Sequence, residues 1–456
     1  LRYIYLLLIT IFFTACSVGN VNLATNTMLY SSKLNSSNAN LFVKSCKEEF
    51  EAVKNGTDML SNLKKASSLR CMGDFNQSNR YFDLSEKSFK SYNENSSLQE
   101  SKKFFASALL NDSFVDYDGQ VYDGVLLNTY KALNFISLRD FQNARVEFNR
   151  ALDRQRRAIE YYQEELKRKQ GEIRQNKNQA QKTLENKRVK STIDNYYSNL
   201  EDYKAYPDFI NPFTTYMAGL FFMLQRDYRK AEDLLKESYA MNRKNSFIKS
   251  DLLLNRSFLR GRGSKKKYVW VIFENGASPY KKERIFNLPV FTFSKNIGVV
   301  GIALPNVKSG RDAFSYLSLK NGSKVVKSKV VADMNSVIKT EFKKDKPYII
   351  ARAITNAISK AVIQKQAGDK GGLLGALAGA VYAVATNRAD TRVWNSLPNR
   401  YEVAKIELKS QYLDILSPNG VKLKSLILPK DRNSIVFVKY LTGVTPKQSS
   451  FHVVSF

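Results

Sequence analysis

Histidine is almost absent from this sequence: 456 residues contain one, His452, near the end of the chain. A histidine-based triad or a multi-histidine metal site would have to be built around that single position. There are three cysteines, and no metal-ligand spacing, P-loop or nucleophile elbow is found. Acidic side chains are in deficit, 42 Asp and Glu against 72 Lys and Arg, for a formal charge of +30. Long apolar runs are missing too, none reaching the roughly 20 residues that cross a bilayer. What remains is ordinary globular composition, 43% hydrophobic and 12% aromatic, which argues against wholesale disorder and against a multi-pass membrane protein. At about 150 residues per domain the length allows two or three domains.

The first residues read as an address. Arg2 supplies a positive n-region, and residues 4–14 form an uncharged, mostly apolar run, too short to span but right for a signal-peptide core. Leu1 reads as an alternative start codon translated literally, so an uncleaved precursor is expected. Phe13-Thr14-Ala15-Cys16 closes the run and resembles the lipobox of bacterial lipoproteins, with Phe13 where Leu is more usual. The resemblance implies a signal peptide over 1–16, cleavage behind Ala15 and lipidation of Cys16; an ordinary secretory signal with a chance cysteine is the alternative. Ser17 resembles lipoproteins sent on to the outer membrane, which implies a periplasm-facing anchor of several acyl chains. Export would place Cys46 and Cys71 in an oxidising compartment. One disulfide tying the first helical unit is expected, with two buried free thiols as the alternative.

Residues 17–40 are rich in Ser, Asn and Thr and read as a flexible tether. From 41 to 258 the pattern is helical and repeats. Arg139-Asp140-Phe141 followed by Ala144 aligns with Arg226-Asp227-Tyr228 followed by Ala231, and a weaker copy is Gly73-Asp74-Phe75 followed by Ser78. Upstream, the small residues Ala66, Ala132 and Gly219 each precede an apolar residue by three positions, Leu69, Phe135 and Phe222. These units resemble tetratricopeptide (TPR) hairpins, in which small residues let paired helices approach and each hairpin buries its face against a neighbour. The resemblance implies a groove for a protein partner, with Phe148 and Tyr228 as groove residues; a generic helical bundle is the alternative. Residues 154–203 read as a charged helical arm, either contacting an anionic surface or partner, or simply solvated.

A basic, Gly-containing linker over 260–267 marks a boundary, and 266–456 reads as a mixed α/β domain. Strands are expected at 268–273, 290–293, 297–304, 313–319, 325–331, 402–408, 412–416, 421–428 and 435–441. A helix fits 335–344. After Pro347, Ile350, Ile354 and Ile358 form an apolar stripe that ends at Gly368-Asp369-Lys370-Gly371-Gly372, before an apolar run over 373–385. This predicts a central helical hairpin, with 373–385 either buried or used for insertion or oligomerisation. The fold class expected is α+β.

Several segments carry a wider resemblance: Tyr122-Asp123-Gly124-Val125, Phe209-Ile210-Asn211-Pro212-Phe213, Val269-Trp270-Val271-Ile272-Phe273-Glu274-Asn275-Gly276, Gly301-Ile302-Ala303-Leu304-Pro305, Ala332-Asp333-Met334, and Arg388 to Trp394 with Leu397-Pro398. They resemble a family of proteobacterial outer-membrane lipoproteins with TPR-like N-terminal halves, over roughly residues 120 to 408. That family carries no established activity; its members are similar in context to envelope proteins encoded beside penicillin-binding-protein activator lipoproteins. A cell-envelope assembly role is implied by analogy alone.

Asp390 beside Arg388, Arg392 and Trp394 is the densest polar cluster of the C-terminal half, with Asp333 and Glu341 as further acids. As a site these could act as acid and base or bind an anion; as structure they are an ion-paired loop locking Trp394. No cofactor, metal or catalytic residue is assigned. The signal segment argues against nucleic acid as the counter-charge and favours anionic envelope material. The expected function is a lipid-anchored scaffold binding a protein partner. Its rivals are an enzyme acting on envelope polymer through Asp390, Asp333 or Glu341, and an oligomeric assembly subunit using 373–385.

Overall fold

The computed structural model describes residues 46–94, 117–172, 177–291, 297–385, 388–441 and 450–456, apart from 118, 202, 204 and 208. Cys16, the segment 1–16 and the tether 17–40 lie outside the described residues. The helical part comprises α1 Cys46–Val53, α2 Met59–Met72, α3 Phe75–Glu94, α4 Val121–Ser137, α5 Phe141–Glu172, α6 Lys177–Glu185, α7 Lys187–Tyr196, α8 Pro212–Leu224, α9 Tyr228–Met241 and α10 Ser246–Leu259.

One turn is used three times. Gly73, Arg139 and Arg226 take left-handed φ values of 89°, 60° and 63°. The amide of the following aspartate then reaches back over the helix end, Asp74 to the Leu69 carbonyl at 2.9 Å, Asp140 to Phe135 at 2.8 Å and Asp227 to Phe222 at 2.8 Å. This is the 6→1 bond that satisfies a helix C-terminus. The residues aligned in the sequence therefore hold equivalent posts in α2–α3, α4–α5 and α8–α9. The small positions work as expected: Ala66 and Ala132 are fully buried, and a Cβ on Gly219 would lie 3.1 Å from the Leu235 side chain.

The strands are β1 Tyr268–Asn275, β2 Tyr280–Phe291, β3 Ile297–Lys308, β4 Ser318–Asn321, β5 Lys324–Lys327 and β6 Lys329–Asp333; then, after helix α11 Met334–Ala385, β7 Arg400–Glu407, β8 Tyr412–Leu416, β9 Lys422–Ile427, β10 Ser434–Tyr440 and β11 Ser450–Ser455. A five-stranded sheet runs β11-β10-β1-β7-β6, parallel only between β1 and β10. A four-stranded sheet runs β5-β4-β8-β9, and β2–β3 is a long separate hairpin. The alternation of strand side chains builds three layers. Trp270, Ile272, Tyr401, Val403, Ile435 and Phe437 join the core shared with the helices. Their neighbours Val269, Val271, Phe273, Ala404, Ile406, Val436 and Val438 join Leu319, Leu413 and Ile415 of the smaller sheet. The fold is α+β.

Two expectations are corrected. The parts 41–258 and 266–456 are not separate domains, because residues from 45 onward cluster as one unit with a common core. The central helical hairpin is one continuous helix, α11. Pro347 removes one backbone bond at a cost of about 3 kcal/mol, but Ile338 and Phe342 before it and Ile350 and Ile354 after it are all buried, at about 1.5–3 kcal/mol each. The glycines at 368–372 weaken a helix without forbidding it. Strand β11 was not anticipated, and no helix among the described residues is long and apolar enough to cross a membrane. The charged arm is partly docked: Val189, Ile193, Tyr197 and Leu200 are buried, and the Tyr197 hydroxyl donates to the Pro305 carbonyl at 2.9 Å.

The shared turn makes a signed prediction. Arg139→Gly relieves left-handed strain and is expected to stabilise the fold by up to about 1 kcal/mol, whereas Gly73→Ala destabilises it by at least that much. Urea unfolding measures both; shifts of the same sign would contradict the turn's equivalence.

Candidate functional site

The polar groups converge where helices meet the five-stranded sheet. Glu274 interrupts the apolar run of β1, and its even register turns it toward the helices with Trp270 and Ile272. Arg70 of α2 donates to it at 3.1 Å, both side chains being buried. The Tyr130 hydroxyl of α4 donates to the second carboxylate oxygen at 3.0 Å and lies 2.8 Å from the Tyr401 hydroxyl of β7. Burial first, then the Glu274 charge, hold both phenols well above their ordinary pKa, so they act as neutral donors. Phe213 of α8 stacks on Tyr401 with centroids 3.8 Å apart. Lys439 of β10 approaches Glu274 at 3.9 Å and donates to the Ser396 carbonyl.

A second bridge repeats the device. Asp251 of α10 accepts from the Trp270 indole at 3.0 Å, from the Tyr216 hydroxyl at 2.9 Å and from Lys405 of β7 at 2.8 Å. Near the chain end, Trp394 donates to Ser67 of α2 at 2.9 Å, and Glu49 of α1 accepts from Ser68 and Ser396.

A crevice opens beside this seam, lined by Ser67, Arg70, Cys71, Glu274, Lys439 and His452 among others. It admits little more than a water-sized molecule, against the roughly 300 Å³ or more of small-molecule pockets. His452 packs edge-on against Phe75 at 4.9 Å and bonds the Cys71 backbone. Burial, and next the Arg70 charge, lower its pKa against the opposing effects of Cys71 and Glu274, which leaves a neutral ring. The lone histidine is thus a packing residue of the seam.

The three acids singled out in the sequence do not form one centre. Asp390 is ion-paired with Arg392, Nε–Oδ1 and Nη2–Oδ2 both at 2.9 Å; burial alone would raise its pKa, but Arg392 more than offsets this and lowers it. Arg388 turns instead to Glu283 at 2.6 Å. Asp333 caps α11 through the Asn335 amide at 2.8 Å and meets Arg400 at 3.5 Å. Glu341, two turns or roughly 12 Å further along that helix, accepts the Val121 and Tyr122 amides at 2.5 and 3.2 Å. Its carboxyl group therefore closes the N-terminus of α4, where the two amides oppose but do not offset the cost of burying its charge. Burial, with the nearby Asp345, raises the Glu341 pKa well above its ordinary value, and burial lifts Asp123 in the same turn to about 6. Trp394 is held by Ser67 rather than by the Asp390 loop. Among the described residues no group of His, Cys, Asp and Glu could hold a metal ion.

Cys46 and Cys71 are joined, with Cα atoms 6.1 Å apart, tying α1 to α2. Of the two groove residues, Phe148 requires correction. Phe148 is fully buried against Phe221, ring centroids 5.2 Å apart, and Tyr228 is half-buried on Phe258. Moreover, α2, α4 and α8 each pack a side chain on this chain's own sheet, Arg70 and Tyr130 on Glu274 and Phe213 on Tyr401. The seam residues Arg70, Tyr130, Glu274 and Tyr401 were missed by sequence reasoning. The available signal was Glu274 itself, a charge directly after the apolar run Val269 to Phe273 that demands a partner if it is buried. Comparison of the chain with family models, curated proteins and solved structures finds no match.

Removing one member of the Arg70–Glu274 pair strands a buried charge. Arg70→Met or Glu274→Gln alone is expected to cost about 3–5 kcal/mol, and the double variant less than the sum. A double-mutant cycle in denaturant measures this; single losses below about 1 kcal/mol would show the pair to be incidental.

Proposed function

We propose that this chain is a lipid-anchored scaffold that holds a protein partner at the outer membrane, on the periplasmic side, during cell-envelope assembly. The observation that supports it best is how the conspicuous acids are employed. Asp333 and Glu341 cap helices and Asp390 is ion-paired, so the geometry favours a rigid platform over an acid–base centre. The lipobox-like Phe13-Thr14-Ala15-Cys16 supplies the anchor in this reading. Since the inner helical face carries the chain's own sheet, the partner surface moves to the outward helices. There α5 exposes Val146, Ile159 and Tyr161, beside Arg156 and Arg157 of the charged arm.

The test uses the anchored protein in native membranes. Ile159→Glu with Tyr161→Glu is expected to abolish capture of a reproducible partner while protein abundance stays normal. The amide set Asp333→Asn, Glu341→Gln and Asp390→Asn is expected to keep both partner and phenotype. Loss of function by the amide set at normal abundance would instead favour an enzyme.

A further inference from the structure

The four-stranded sheet spends one face on the core. Leu319, Leu413 and Ile415 are fully buried against the five-stranded sheet, so the alternate side chains of β4, β5, β8 and β9 point outward. The register sets Tyr412 directly opposite Ile427, and Val325 opposite Lys320. On this face apolar groups stand in solvent. Ile427 is 75% exposed, Tyr412 54% and Val325 53%, and Val421 at the entry to β9 is 60% exposed. Isolated exposed apolar residues need no explanation, but these four share one small sheet and are ringed by one sign of charge.

Lys320, Lys327 and Lys422 belong to the same face, whereas Lys324 and Lys424, paired with the buried Asn321 and Ile415, belong to the other side, and Lys430 lies exposed beyond β9. The carboxylate on the face is Asp414, taken up by Lys422 at 3.0 Å and by the Ser425 hydroxyl. Beyond the strand end, Asp431 pairs with Arg432. The face is therefore positively charged and carries exposed apolar side chains.

We propose that this face of the β5-β4-β8-β9 sheet docks reversibly on an anionic lipid surface. Complementarity of charge selects the occupant. Lysine ammonium groups meet lipid phosphates while their stems and the tips of Ile427, Tyr412 and Val325 enter the headgroup boundary, the arrangement of interfacial proteins. Lysines at an edge such as β9 also deter strand pairing between chains, but deterrence does not call for Ile427 and Tyr412 to be bared together. The contact is independent of the scaffold reading and of Cys16; in an anchored chain it would add a second attachment.

The experiment uses the chain from residue 17 onward, which retains the whole unit 45–456 and lacks the signal-like segment. Sedimentation is measured with vesicles of equimolar phosphatidylglycerol and phosphatidylcholine, and with phosphatidylcholine alone. Binding to the first and not the second is expected. Lys320→Gln, Lys327→Gln and Lys422→Gln together should weaken it about a hundredfold, at about fivefold for each lysine near an anionic surface. Ile427→Ser with Tyr412→Ser should weaken it at least about tenfold, circular dichroism remaining unchanged for both sets. Equal binding to both vesicles, or variants that bind like the parent, would overturn the proposal. So would soluble polyglutamate competing as well as vesicles do, or a dimer that the same substitutions dissociate.

Discussion

A buried carboxylate on the central strand dictates where the helices must lie. Glu274 follows the apolar run Val269 to Phe273 and is itself buried, and an uncompensated charge there would cost several kcal/mol. Compensation comes directly from Arg70 on α2 and Tyr130 on α4, and Tyr401 on β7 in turn bonds the Tyr130 hydroxyl. Only one placement of the helices over the sheet brings these donors together. Asp251 does the same work from the opposite side, collecting Trp270, Tyr216 and Lys405. Apolar burial supplies the bulk of the driving force. The two polar bridges select the register in which that burial occurs.

The functional consequence is that the helical array is not an open groove. In a solenoid the inner helices line a concave face available to ligands; here α4 and α8 are buried along nearly their whole length, because strands of the same chain occupy that face. In the proposals made above, recognition falls to the outside: α5 with its charged continuation, and the lysine-bearing face of the smaller sheet.

The hairpins were legible because their determinants are local. A left-handed residue, an aspartate and a small residue at fixed offsets specify a turn that recurs three times. Most strands were legible for the same reason, through alternation and turn residues such as Ser417-Pro418-Asn419-Gly420. Other features depend on distant partners and leave little local trace. Glu341 caps a helix that begins 220 residues earlier, so it reads equally as an acid or a cap. Phe148 fits a groove or a core with the same side chain, and only the covering element decides. Pro347 looks like a stop until the apolar stripe on both sides of it is found to be buried. The parallel pairing of β1 with β10 is fixed by closure of the sheet rather than by either segment alone.

The most direct test is equilibrium unfolding followed by two signals at once. Trp270 and Trp394 are both fully buried and both bonded to helical residues, Asp251 and Ser67, so their fluorescence reports contact between helices and sheet. Far-ultraviolet circular dichroism reports the helices themselves. If the polar seam makes the two parts one cooperative unit, the transitions coincide at every denaturant concentration. Fluorescence change at lower denaturant, with helicity intact, would mean that the helices stand without the sheet and that the groove can open.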